Sequence, residues 1–195
     1  MTEPDDPGLL ERAREGDPAA FDEIVDRYER RVFAVALRIV RNSDDARDVT
    51  QEVFVTAMRA LKGFRGDAQL STWFHRVTVN ASLDLVRKRR RREHSSVDEL
   101  TDQPAGEPGP EAEAIVAVRA REVHKALGAL PPDQRALIVM HDLQDLDYAE
   151  CAETLGIPLG TVKSRLHRAR LALARQLGHL REGEPTGDHG PLRYE

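Results

Sequence analysis

A short stretch in the last third of the chain alternates residues that start helices with residues that end them. Asp147 and Glu150 have the spacing of a capping box, in which each side chain accepts a hydrogen bond from the other residue's backbone N–H. Gly156 can adopt the left-handed conformation that ends a helix, and Pro158 suits the first position of the next helix. The sequence therefore predicts a helix-turn-helix within Asp133 to Leu177.

The second helix of this motif has two chemically different faces. Four apolar residues recur at steps of four, three and four and form a stripe: Val162, Leu166, Ala169 and Leu173. The opposite face is polar and basic, which suits the major groove of duplex DNA, where arginine can pair with guanine. Its expected DNA-contacting residues are Thr161, Lys163, Ser164, Arg165, His167 and Arg168. A solvated basic face on a packing helix is the alternative.

Apolar residues at three- and four-residue steps also run through the first half of the chain. One stripe extends from Phe21 to Ile39, with Asp17 as a predicted cap. Ser43 is the predicted cap of the next helix. A third helix opens at Ser71 or Thr72, and its apolar face consists of Trp73, Phe74, Val77, Ala81 and Leu85. No strand pattern stands out, so the predicted fold class is all-α.

The segment from Ser95 to Pro110 separates two helical units. It is rich in proline, glycine and acidic residues, a composition that cannot bury a core and indicates a flexible linker. We therefore expect two small helical domains joined by a tether. The predicted parts are an acidic N-terminal tail (1–17), a first domain (18–93), the linker (94–112), a second domain (113–180) and a disordered tail (181–195).

Charge is distributed unevenly along the 195 residues, whose formal net charge is −5. This balance argues against a protein that coats nucleic acid through bulk positive charge. Local basic runs are nevertheless present at Arg87 to Arg92 and Lys163 to Arg175. No signal peptide or membrane span is evident, so a cytoplasmic, soluble protein is expected. We find no phosphate loop, metal-ligand spacing or cysteine–histidine signature, and we expect no enzymatic activity, cofactor or metal.

Several motifs in order resemble the extracytoplasmic-function (group IV) sigma factors of bacterial RNA polymerase, members of the sigma-70 family. GTVKSRLHRAR in the second domain is the most specific motif. DDARDVTQEVF and STWFHRVTVNASLDLVRKRR resemble the family's first domain. Together the similar segments cover about Phe21 to Leu177. The sequence departs from the family at Cys151, where a larger aliphatic residue or alanine is frequent, and we interpret this cysteine as a small core residue.

The resemblance implies a role for each domain. The first would bind core RNA polymerase through Asp48, Gln51 and Glu52 and help to melt the −10 promoter element. The loop from Phe64 to Leu70 would hold a flipped-out base. The implied −10 contacts are Phe64, Arg65, Asp67, Asn80, Asp84, Arg87, Lys88, Arg89 and Arg90. The second domain would read the −35 element. Core polymerase, promoter DNA and an inhibitory anti-sigma factor are the implied partners.

Four further alternatives remain open. A free-standing helix-turn-helix regulator would bind DNA without core polymerase. Trp73 and Phe74 fit the apolar stripe better than a wedge between bases, and Asn80 and Asp84 can bond either each other or a base. The acidic linker is either a mimic of nucleic acid inside the polymerase or an ordinary solvated tether.

Overall fold

The computed structural model describes residues 6–63, 69–93 and 122–181, and these residues form helices without any strand. The predicted all-α fold class is confirmed. The helices are α1 (Asp6–Arg14), α2 (Pro18–Val40), α3 (Ser43–Ala60), α4 (Leu70–Glu93), α5 (122–128), α6 (Pro132–Gln144), α7 (Tyr148–Leu155) and α8 (Leu159–Arg181), with a 3₁₀ turn at Leu61–Gly63. The predicted linker, the last 14 residues and the −10 candidates Phe64, Arg65 and Asp67 lie outside the described residues.

Local capping explains where the first long helices begin. The Asp17 side chain accepts a hydrogen bond from the Ala19 amide at 3.0 Å, as predicted for the start of α2. Asn42, and not Ser43, caps α3, because its side-chain oxygen accepts from the Asp44 and Asp45 amides at 2.9 and 3.0 Å. Ser43 is itself the first residue of that helix, so its predicted capping role is wrong.

Helices α2, α3 and α4 pack together around aromatic side chains. Phe74 is 1% exposed, and its ring stacks on Tyr28 with 4.7 Å between centroids. Trp73 meets Phe74 edge-on at 5.2 Å and is partly buried. Phe74 belongs to the core and Trp73 packs against it, as the apolar stripe predicted. Helix α4 begins at Leu70, one residue before Ser71 and two before Thr72, the two predicted starts.

Helix α4 also has a second buried face that its predicted stripe did not include. Val79 and Leu83 are 0% and 1% exposed and pack in a cluster with residues of α5 to α8. The same cluster contains Val35 and Ile39 of α2. The two helical domains are therefore present as expected, and within the described residues they pack directly against each other.

Candidate nucleic-acid interface

The helix-turn-helix forms through the local signals identified in the sequence. The Asp147 carboxylate accepts from the Glu150 amide at 2.7 Å, and Glu150 accepts from the Asp147 amide at 2.9 Å, which completes the capping box. Gly156 ends α7 with φ +61°, a left-handed conformation that favours glycine. The Pro158 carbonyl accepts from the amides of Thr161 and Val162, so Pro158 precedes the first residue of α8 instead of occupying it.

Helix α8 is buried on one side and exposed on the other, as its periodicity predicted. Val162, Leu166 and Ala169 are at most 1% exposed and hold the helix against the core. Leu173 packs partly against the same cluster. The predicted groove-facing residues Lys163, Ser164, His167 and Arg168 are all exposed, whereas Thr161 and Arg165 are only partly so.

Hydrogen bonds and ring contacts orient several cations of this surface. The Arg168 Nε donates to the Ser164 carbonyl at 3.3 Å. The Lys163 ammonium lies 5.6 Å from the centre of the Tyr148 ring, a cation–π contact. Arg165 is directed toward Asp133 of α6, with a nitrogen–oxygen distance of 3.4 Å. Among these cations, Lys163 and Arg168 thus have the greater access to a duplex.

Arg170, which is also exposed, already binds a carboxylate of another helix. Its guanidinium donates to both carboxylate oxygens of Asp142, at 2.5 and 3.1 Å. Its hydrogen bonds to Asp142 raise the pKa of Arg170 above its already high ordinary value. This pair of hydrogen bonds connects α8 to α6.

The basic end of α4 combines exposed cations with arginines that already bind carboxylates. Arg87 pairs with Asp84 at 3.3 Å and lies 3.7 Å from Asp133. Arg89 forms an ion pair with Asp45 of α3. Burial raises the pKa of the Asp45 carboxyl, and the Arg89 charge opposes that shift. The remaining predicted −10 contacts on this helix are exposed: Asn80, Asp84, Lys88 and Arg90.

The outer face of α3 carries the residues implied to bind polymerase. Asp48, Gln51 and Glu52 are exposed. Two exposed apolar residues that the sequence interpretation did not single out continue this face, Val55 at 36% and Met58 at 56%. Val55 lies three and four residues after Glu52 and Gln51, and Met58 lies three residues after Val55. This spacing was the available signal, because apolar residues outside the buried stripe of an amphipathic helix are candidates for contact.

Two family models match successive parts of the chain. The model for sigma-70 region 2 matches residues 24–92, and the model for sigma-70 region 4 matches residues 120–173. The chain belongs to the sigma-70 family. Within it, the relatives identify the extracytoplasmic-function (ECF) sigma factors, as the sequence motifs suggested. The chain is 39% identical to the ECF RNA polymerase sigma factor SigM of Mycobacterium tuberculosis over 91% of its own length and 87% of that protein.

Other relatives agree with this assignment. The ECF RNA polymerase sigma-E factor of Escherichia coli K12 is 37% identical over 85% of this chain and 90% of that protein. SigE of Mycolicibacterium smegmatis is 39% identical over 81% of the chain, which spans 63% of the length of that longer relative.

Two solved structures show a similar arrangement of helices. The sigma factor RpoE of Bartonella quintana, solved with the anti-sigma factor NepR, has a TM-score of 0.68 and 25% identity, covering 81% of this chain and 96% of that one. CnrH, solved with the cytosolic domain of CnrY, has a TM-score of 0.63 and 26% identity, covering 89% and 97%. In the described part of this sigma factor, no helix is long and apolar enough to cross a membrane.

Proposed function

We propose that this ECF sigma factor reads the −35 element with α8 and engages the −10 element with α4 while it is bound to core polymerase. Sigma factors direct RNA polymerase to promoters, and this chain is one of them. The observation that supports the detailed assignment is the division of α8 into a buried apolar face and an exposed polar and basic face. The action is binding and promoter opening, without catalysis by the sigma factor itself.

In the proposed −35 contact, some exposed residues would contact base edges and others would bind backbone phosphates. Arg168 can form a two-pronged contact with guanine, while Ser164 and His167 extend the base-reading surface. Lys163 would bind a backbone phosphate and fix the register. Thr161 and Arg165 flank this surface, and Arg165 must leave Asp133 or share it in order to reach a phosphate.

In the −10 contact, the exposed side of α4 supplies polar groups for an unstacked strand. Asn80 and Asp84 would face bases, whereas Lys88 and Arg90 would bind the phosphate backbone. Arg87 has carboxylate neighbours but remains exposed enough to reach DNA. Arg89 is held by Asp45, so we assign it mainly to the orientation of the helix end. Phe64, Arg65 and Asp67 complete the proposed contact on the basis of the family resemblance.

The outer face of α3 is the proposed contact with core polymerase. Its acidic and amide groups, Asp48, Gln51 and Glu52, would bind polar groups of the polymerase clamp. Val55 and Met58 would add apolar contact area beside them. Core binding requires a cytoplasmic location, where polymerase and promoters meet. We further propose an anti-sigma partner, because the similar RpoE structure contains an anti-sigma factor.

Run-off transcription with purified core polymerase on a library of genomic fragments tests this function. We expect specific start sites in the presence of the chain, with shared −35 and −10 sequences upstream of them. A gel shift without core polymerase is the companion measurement and should show only weak binding. Tight specific binding without core, together with failure to bind core, would instead support the free-standing regulator.

A further inference from the structure

The aromatic ring of Tyr148 lies where three helices of the second domain meet. Tyr148 is the first residue of α7, and its ring stacks on His141 of α6 with 4.5 Å between centroids and 29° between planes. The Lys163 ammonium of α8 lies 5.6 Å from the centre of the same ring. Arg170 of α8, which binds Asp142 of α6, also has Tyr148 among its side-chain neighbours. The ring thus contacts both of the helices that flank α7.

Neighbouring contacts hold the Tyr148 ring in place. The capping box between Asp147 and Glu150 fixes the backbone on either side of it. The His141 Nδ1 lies 2.7 Å from the Leu146 carbonyl oxygen, and because a carbonyl only accepts, this nitrogen carries the hydrogen. The imidazole is therefore attached to the backbone, and it supports the tyrosine ring by stacking. Tyr148 also packs against the buried apolar cluster that includes the inner face of α8.

Lys163 differs from a basic neighbour on α8 in the kind of partner that holds it. Arg165, two residues later, is directed toward the Asp133 carboxylate at 3.4 Å. Within the part of the chain that the structure describes, no carboxylate forms an ion pair with Lys163, and its side-chain contact is with the Tyr148 ring. Lys163 is exposed, so its ammonium remains accessible while the ring contacts it.

An aromatic partner restrains a lysine without neutralising it. The face of the ring attracts the ammonium, but the ring carries no net charge, so the full positive charge remains available for a phosphate. A carboxylate partner would have to be displaced or shared when the DNA backbone arrives, as Arg165 requires. A lysine side chain also loses much rotamer freedom when it is immobilised. A ring that restrains the side chain beforehand reduces this loss during binding.

We propose that Tyr148 is a positioning residue that holds the Lys163 ammonium in place for a backbone phosphate of the −35 element. The inference rests on the phosphate contact proposed above for Lys163. Tyr148 belongs to α7, outside the exposed face of α8, and acts through Lys163 instead of through a base edge. Its removal should therefore weaken binding to all −35 sequences alike. Because the ring also stacks on α6, the phosphate contact depends on the packing of three helices.

A double-mutant cycle in the holoenzyme tests this role. Tyr148→Leu removes the ring but keeps an apolar side chain, whereas Tyr148→Phe keeps the ring and removes the hydroxyl. Each is combined with Lys163→Ala and, as the matched control, with Arg168→Ala, which removes a proposed base contact of the same helix. The measured quantity is the Kd of holoenzyme for a promoter duplex and for duplexes with single-base changes in the −35 element. Circular dichroism verifies that each variant remains folded.

We expect Tyr148→Leu to raise the Kd about three-fold for every duplex, and Tyr148→Phe to raise it by less than about two-fold. When Lys163→Ala is already present, Tyr148→Leu should cause no further loss, because there is no ammonium to position. When Arg168→Ala is present, the loss of about three-fold should persist. A loss that is the same with and without Lys163, or an equal loss in Tyr148→Phe, would overturn the positioning role.

Nuclear magnetic resonance of the chain without DNA provides a second test. With isotope-labelled lysine, the ring current of Tyr148 should move the ε-methylene proton signal of Lys163 upfield, and the signal is assigned by its absence in Lys163→Ala. Tyr148→Leu should return it to the position of the other lysines, whereas Tyr148→Phe should not. An unshifted wild-type signal would overturn the positioning role. Promoter binding that Lys163→Ala leaves unchanged would instead contradict the proposed phosphate contact itself.

Discussion

Arg168 and Lys163 both project from the exposed face of α8, yet their removal should have different effects on promoter binding. Arg168→Ala removes a proposed base contact and should cost about 1–3 kcal/mol at one base pair of the −35 element. Lys163→Ala removes a phosphate contact, so it should weaken binding to all promoters alike and lower the salt slope by about 0.9. Competition binding of holoenzyme to single-base promoter variants, repeated at several salt concentrations, measures both effects. Promoter selectivity that survives Arg168→Ala would contradict the groove-facing assignment.

His75 should make the stability of the first domain depend on pH. Burial lowers the pKa of this histidine from its ordinary 6.5, and the charge of Arg31 lowers it further. The unfolded chain therefore takes up a proton at a higher pH than the folded protein, so stability is complete above about pH 6.5 and declines as the pH falls. His75→Gln should flatten this decline between pH 7 and 5 in urea unfolding curves. An equally steep decline in the variant would assign the effect to other groups.

At the scale of the single element, the turn between α7 and α8 depends on one glycine. Gly156 has φ +61°, where a Cβ is strained, so Gly156→Ala should destabilise the protein by about 1 kcal/mol. Gly160→Ala is the matched control, because Gly160 is helical and a Cβ there meets nothing within 4 Å. It should leave stability unchanged or raise it by up to about 1 kcal/mol. Thermal unfolding of both variants checks this contrast, and equal destabilisation would refute it.

Individual helices and turns show which features could be predicted from the sequence. The capping box at Asp147 and the turn at Gly156 depend on neighbouring residues, so local chemistry was sufficient. Ser43 was chosen wrongly because Asn42 beside it has an equally suitable side chain. The second buried face of α4 was missed for another reason. Thr78 and Ser82 also lie on this face and are fully buried. Their hydroxyls can be buried because each donates a hydrogen bond to a carbonyl one turn earlier, at 2.7 Å. Their polarity concealed the width of the buried surface.

The candidate site was likewise only partly predictable from the sequence. The exposed face of α8 followed from a three- and four-residue period that is a property of one helix. The attachment of Arg165 to Asp133 and of Arg89 to Asp45 joins different helices. Such pairs depend on how elements pack, which periodicity does not encode. Sequence therefore identified the cations of the site but not which of them are already paired.

At the scale of the whole molecule, the shared core couples the stability of the two domains. Leu83 is 1% exposed in the cluster that both domains build, so Leu83→Ala should cost about 2–5 kcal/mol. Because the cluster crosses the interface, we expect the wild-type chain to unfold in one calorimetric transition, with equal calorimetric and van't Hoff enthalpies. Leu83→Ala should lower that transition or split it into two. The control Leu171→Ala removes a leucine that is 47% exposed and should change stability by less than about 0.5 kcal/mol. Two well-separated transitions in the wild-type protein would show that the domains fold independently and that their contact contributes little to stability.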